Sequence, residues 1–288
     1  MIRFLGGRHA APFLLLLPAA LLFGVFFVMP FVTLAINSLY DYGRLTGIIP
    51  IFTPKNYLKL WLDEYYLSVI GSTFRLSGLT AVITLIVGYP VALYLSLASP
   101  RAKSWVIALV LSPLLISVIV RTFGWAIIVG KNGLIDNIFL ALGVQDMHCL
   151  HTEAAVIVGL VNVLTPFVVL SVATSLQSID PAVPLAAASL GAGPFRVLWR
   201  VILPLSLPGI LAGALIVFGL ASATFVTPAV LGGAQFKVLS TLMYQQAIIL
   251  QNWPFAAAIA VTLTLIVLVG QGLQTGLAER SRYGAVLR

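Results

Sequence analysis

Residues 154–177 read AAVIVGLVNVLTPFVVLSVATSLQ, a run without one charged side chain. About 20 such residues, wound as a helix, cross a hydrocarbon core of about 30 Å. Five more stretches have comparable apolar character, at 11–36, 67–97, 105–129, 209–231 and 254–277. The composition agrees, with 60% hydrophobic and 8% charged residues, where soluble domains carry roughly 25% charged. Mean hydropathy is +1.09, which leaves too little polar surface to coat a globule of this size, so lipid must cover much of it. The fold class is therefore an all-α integral membrane bundle of six transmembrane helices.

An even number of spans puts both termini on one side, and basic residues choose which. Arg3, Arg8, Arg101, Lys103, Arg196, Arg200, Arg280, Arg282 and Arg288 share one face. Arg44, Lys55, Lys59, Lys131 and Lys237 share the other with most of the acids, among them Asp41, Asp63, Glu64, Asp136, Asp146 and Glu153. Both termini are then cytoplasmic in a multi-pass membrane protein. Arg3 and Arg8 ahead of an apolar run resemble the start of a signal peptide, but the run continues to Ile36, too far for one, and reads as a retained first helix. The net charge of +8 is scattered between apolar runs, which excludes a nucleic-acid stripe.

Cys149 is the only cysteine, so an intrachain disulfide and a thiolate cluster are excluded. His148, Cys149 and His151 match no common metal spacing and read as an incidental loop. No G-x-x-x-x-G-K-[ST] loop is present, Gly124–Lys131 having the wrong spacing, and neither a metal-binding helix motif nor a nucleophile elbow occurs. The chain reads as a non-enzyme without metal or cofactor of its own.

Prolines fall within several spans, at Pro18, Pro30, Pro90, Pro113, Pro166 and Pro228, where a bundled membrane helix tolerates a kink. Small-residue spacing at Gly209 and Gly213, and at Gly272 and Gly276, predicts close helix packing. On the outer face, 54–61 (PKNYLKLW) and 132–142 (NGLIDNIFLAL) have the pattern of short interfacial helices, suited to headgroups or to a docking partner.

The cytoplasmic stretch 180–196, DPAVPLAAASLGAGPFR, is no simple connector. Asp180 followed by Pro181 starts a helix, an Ala-rich turn follows, and Gly191 to Pro194 breaks it before a second helix, which predicts two short helices at right angles. Such an element can seat in a groove of another protein, with Leu190 or Phe195 as apolar anchor.

The loop resembles the EAA motif of ABC importer permeases, with Ala186, Ala187, Gly191, Val201, Leu203 and Pro204 at the family spacing. Leu185 stands where that family usually has glutamate. Three further stretches, VRTFGW at 120–125, NGLIDN at 132–137 and FVTPAVLGG at 225–233, narrow the resemblance to permeases of the spermidine and putrescine type. The resemblance implies a type I importer bundle: residues 1–66 as tail, first helix and periplasmic segment, 67–277 as a five-helix core with its coupling loop at 180–209, and 278–288 as a basic tail. It also implies a second homologous permease, two ATP-binding subunits that hold ATP and Mg, and a periplasmic substrate-binding protein. Coupling residues would be Leu185, Ala186, Ala187, Ser189, Leu190, Gly191, Pro194, Phe195, Arg196 and Pro204.

A central arginine costs about 2.5–3.5 kcal/mol on insertion scales, so Arg75 and Arg121 need reasons. Arg75 reads as structural; Arg121 either snorkels or lines a substrate path with Thr122, Phe123 and Trp125. Asn162, Phe167, Ser222, Thr224 and Phe225 complete the candidate pathway. No acidic residue lies deep in a span, which counts against an ion-coupled secondary transporter and leaves a cationic solute only aromatic faces. Polyamines, amino-acid-like solutes and phosphonates all remain open, as does a scaffold or channel.

Overall fold

The computed structural model describes residues 10–143 and 149–286. Arg3, Arg8, Arg288, Asp146 and His148 lie outside those residues, so their sequence readings are not tested. Two compact units divide the chain, residues 1–64 with 243–262 and residues 65–242 with 263–288.

In the first unit α1 (Ala10–Phe23) passes through a π turn, Gly24–Val28, into α2 (Met29–Asn37). Along its membrane-length stretch, Leu16–Asn37, no residue is buried inside the chain, so lipid or another protein must be its solvent. A hairpin that the sequence reading did not anticipate follows, β1 (Tyr40–Gly43) against β2 (Gly47–Phe52). It is tied to α3 (Lys55–Leu62), the expected short helix. Asn56 Nδ2 donates to the carbonyls of Ser38 and Tyr40 at 3.0 and 2.9 Å, and Lys55 Nζ meets Asp41 Oδ2 at 2.6 Å. Residues 243–262 join through Tyr42, whose hydroxyl donates to the Leu250 carbonyl at 3.0 Å, and through Lys59, 4.8 Å above the Phe255 ring.

The Lys55 hydrogen bond, helped by the Tyr42 N–H, holds the Asp41 carboxyl below its ordinary value of 3.8. A carboxylate lowered on folding stabilises the fold above its unfolded pKa and loses that contribution as pH falls through the folded one. The protection factors of the hairpin amides, from which the intrinsic pH dependence of exchange is divided out, are therefore expected to stay flat from neutral pH down to about the ordinary carboxylate range and to fall below it. Asp41→Asn should remove that acid limb.

The second unit is built on α8 (Glu153–Gln177), whose first turn is capped by Thr152 Oγ1 accepting from the Ala155 N–H at 3.3 Å. Val156, Leu160, Val168, Val169 and Val172 are all 0% exposed and centre the core. Against α8 lies α12 (Leu207–Ala223), with Gly209 and Gly213 at the contact, as their spacing predicts. A Cβ on Gly209 would sit 2.4 Å from Ser175 Cβ and 2.7 Å from the Ser171 carbonyl oxygen, and one on Gly213 would sit 3.2 Å from Val168 Cα. Gly209→Ala is accordingly expected to cost about 1–3 kcal/mol by overpacking, read as a lowered midpoint in detergent thermal unfolding. Gly272 and Gly276 face open space instead.

Among the described residues, five helical segments are long and apolar enough to cross a membrane: Leu16–Asn37, Glu64–Leu97, Val118–Ala141 (two helices counted across a break at Gly130–Gly133), Glu153–Gln177 and Trp253–Gly272. The count becomes six when the pair Pro194–Leu205 and Leu207–Ala223, bent by 63° at Ser206, is taken as one span. Two expected spans change form. The stretch 105–129 is not one helix: α5 (Pro100–Leu115) stops, Ile116 and Ser117 are extended, and α6 (Val118–Val129) begins. After the Gly130–Gly133 break comes α7 (Leu134–Ala141), the second expected interfacial helix. The stretch 209–231 also breaks, because α12 ends at Ala223 and Thr224 is extended before a π turn at Pro228–Gly232. Pro228 has no N–H for the Thr224 carbonyl, and Ser240 Oγ donates to it at 2.8 Å. The remaining long helices are α4 (Glu64–Leu97) and α13 (Trp253–Val286), the latter running helical through most of the expected basic tail.

Candidate functional site

The loop after α8 folds as its local chemistry dictates. Asp180 Oδ1 accepts from the Ala182 N–H at 2.8 Å and starts α9 (Ala182–Ser189). Gly191 stops it with φ of +84°. The Ala192 N–H reaches back to the Ala187 carbonyl at 3.1 Å and the Gly191 N–H to Ala188 at 3.0 Å. This six-to-one and five-to-two pair closes the helix through a left-handed residue, a conformation that glycine adopts without steric cost. Pro194 then opens α10 (Pro194–Val197), which continues through a π turn, Leu198–Ile202, into α11 (Leu203–Leu205).

What this element presents is apolar. Leu185 is 67% exposed, Leu190 89%, Phe195 73% and Trp199 55%, and the Phe195 and Trp199 rings lie 6.0 Å apart. Ala186, Ser189, Gly191, Pro194, Arg196 and Pro204 are exposed too, while Ala187 is half-buried. Trp199 was absent from the sequence reading; its signal was its place one turn beyond Phe195. At the far end Ser206 is buried, its hydroxyl donating to the Leu203 carbonyl at 3.0 Å, where the helix bends into α12. The loop is thus continuous with α12, which packs on α8.

The pathway candidates separate. Trp125 and Asn162 line one cavity of about 440 Å³ with Pro113, Thr165 and aliphatic walls from Ile83 and Val110. The Asn162 side chain makes no hydrogen bond among the described residues, so its amide is available to a solute. Arg121 donates instead to the Pro113 carbonyl. Thr122 is buried, its hydroxyl bonded to the Val118 carbonyl at 2.6 Å, and Phe123 is exposed. Phe167 packs on the core. Ser222 is held in packing 2.8 Å from Ser77 Oγ, and Thr224 Oγ1 donates to the Leu220 carbonyl at 2.7 Å. Phe225 is half-buried; neither it, Ser222 nor Thr224 lines the Trp125 cavity.

Arg75, expected to be structural, pairs with the first residue of α8: its Nε donates to Glu153 Oε1 at 2.9 Å, and a second nitrogen reaches Oε2. Cys149 and His151 line a separate hollow of about 330 Å³ with Lys131, Thr152 and Gln235. Among the described residues no three His, Cys, Asp or Glu side chains converge as a metal site.

Comparison with known proteins bears on what this scaffold is. The family described as binding-protein-dependent transport system inner membrane component matches residues 10–283. The chain belongs to that family of permeases. The spermidine/putrescine transport system permease protein PotB of Haemophilus influenzae is 32% identical to this permease over 246 residues, 84% of this chain and 85% of that one. In fold the permease is similar to a chain of a bacterial alginate ABC transporter, solved in complex with an alginate pentasaccharide-bound periplasmic protein. The TM-score is 0.76 at 19% identity, over 95% of each chain. It is also similar to a chain of the inward-facing MetNI methionine ABC transporter, with TM-score 0.58 at 22% identity over 77% of this chain and 97% of that one. The permease is a transport subunit of an ABC importer, and ATP hydrolysis resides on a separate subunit in these systems.

Proposed function

We propose that the permease forms half of a translocation pathway, with a second homologous permease as the other half. Two ATP-binding subunits, carrying ATP and Mg, dock on the 180–209 loop of each half, and a periplasmic binding protein delivers the solute. The observation that carries this is the apolar, exposed face of α9 and α10, locked by Gly191 and continuous with α12. A face of that kind is unstable in water without a protein to cover it. Both termini lie in the cytoplasm, and residues 67–277 act as the conducting core.

The solute is of the polyamine class. The PotB likeness supports this, as does the cavity, whose Trp125 ring offers a face to a cation and whose Asn162 amide offers an acceptor. Without a carboxylate among its lining residues it would hold such a cation weakly, which suits a site that a solute must leave as readily as enter. Recognition then rests with the binding protein.

The test is purification of the tagged permease from its own membranes, followed by reconstitution of what accompanies it into proteoliposomes. A P-loop ATPase and a second permease should co-purify, and ATP with binding protein should drive uptake of labelled spermidine or putrescine. Uptake of an amino-acid-like solute alone would overturn the polyamine class while leaving the importer standing.

A further inference from the structure

The third crossing is interrupted where interruption is costly. α5 (16 residues) is about 24 Å long at the helical rise and α6 (12 residues) about 18 Å, each short of a hydrocarbon core of about 30 Å; with α7 read as an interfacial helix, α5 and α6 must share the crossing. The extended pair Ile116 and Ser117, each with ψ of 135°, then lies at membrane depth. Carbonyls freed there find no water in lipid, and non-helical backbone persists only inside protein or beside a cavity.

Two side chains take up the freed groups. Pro113 has no N–H to give the Leu109 carbonyl, and Ser112 Oγ donates to that carbonyl at 2.8 Å. In an unbroken helix the Ser117 N–H would serve the Pro113 carbonyl; with Ser117 out of the helix, the Arg121 guanidinium serves it. The Arg121 backbone N–H meanwhile bonds the Ser117 carbonyl at 3.0 Å, closing the first turn of α6. Pro113, at one end of the clamp, and Trp125, one turn beyond Arg121 on the same face of α6, both line the 440 Å³ cavity.

We propose that Arg121 is a positioning residue of transport: its guanidinium clamps the start of α6 to the end of α5 across the break and so sets the Trp125 wall of the solute cavity. The proposal rests on the reading of that cavity as part of the pathway. It assigns the arginine to a carbonyl of its own chain, not to the solute. A donor is what the clamp needs, so lysine or glutamine at 121 serves in part and leucine does not.

Arg121→Leu, Arg121→Lys and Arg121→Gln are compared in the whole transporter, reconstituted with its ATPase and binding protein, by labelled spermidine taken up per ATP hydrolysed. A second readout is the rate at which a water-soluble maleimide labels Thr165→Cys on the cavity wall in a Cys149→Ser background. Arg121→Leu is expected to lower uptake per ATP about tenfold, the scale of one lost hydrogen bond to a charged donor, and to change the labelling rate several-fold; Lys and Gln should recover most of both. Unchanged uptake and labelling in Arg121→Leu would overturn the clamp. So would a Gln variant that assembles yet matches Leu, which would assign the positive charge to the solute path; where Leu fails to assemble, the Gln variant decides. Absence of spermidine uptake by the unsubstituted transporter sinks the polyamine reading alone, and the labelling rates still decide the clamp.

Discussion

Phe195→Asp is expected to release the ATPase from the permease while leaving the permease folded. Phe195 is 73% exposed and contacts Trp199, so the substitution removes little internal packing. On the docked face it removes a large apolar anchor and puts a charge where water is excluded. Anchors of this kind are worth about 2 kcal/mol or more, so ATPase affinity should fall at least ~30-fold. Leu190→Asp should act in the same direction, since Leu190 is 89% exposed at the corner between the helices. The measurement is the molar ratio of ATPase to permease after detergent purification, with the melting midpoint of the permease alone as control. Val197 supplies the contrast. It is buried in the same loop, and Val197→Asp should lower the midpoint as well as the ratio. Retention of the ATPase by the Phe195 and Leu190 variants together would move the docking surface elsewhere.

The loop was legible in the sequence because its signals are local. A carboxylate two residues ahead of an N–H, a glycine where the chain turns left-handed, and a proline at a helix start each act within a few positions. Membrane crossing was legible for a similar reason, since a run of apolar side chains states its own solvent. The breaks at Ile116–Ser117 and at Thr224 were not, although Pro113 and Pro228 are visible in the sequence. A proline in a span kinks, ends or is absorbed depending on who takes the carbonyl it strands. Here the takers are Ser112, three positions from its carbonyl, and Ser240, sixteen positions away in the chain. Pro90 and Pro166, with the same local signature, sit inside continuous helices.

The hairpin escaped for a related reason. Residues 40–52 carry too few alternating positions to declare two strands, and their partners, Asn56 and Leu250, come from other segments. Of the pathway residues, the sequence picked Trp125 and Asn162 for their chemistry, and the fold brings them to one cavity. Ser222 was picked on the same grounds, but a hydroxyl in a span serves helix packing as readily as a solute, and here it meets Ser77.

Gly191 allows backbone conformation and surface shape to be told apart. Its φ of +84° places it where L side chains are disfavoured, yet no atom lies within 4 Å of where its Cβ would be. Within the chain the cost of substitution is therefore backbone strain alone, about 1–2 kcal/mol for alanine and more for a β-branched residue. Asparagine tolerates the left-handed region better than other residues with side chains. If the glycine is required to turn α9 into α10, uptake should follow Gly, then Asn, then Ala, then Val, with valine losing tenfold or more as the carbonyls of Ala187 and Ala188 lose their donors. Membrane insertion should be unchanged throughout, since Gly191 lies outside every candidate span. If the glycine is required because the ATPase approaches its Cα, the order follows volume instead, and asparagine falls with valine below alanine. The ranking of asparagine against alanine, measured as initial uptake rate in proteoliposomes of equal permease content, separates a hinge set by the permease's own backbone from a contact set by its partner.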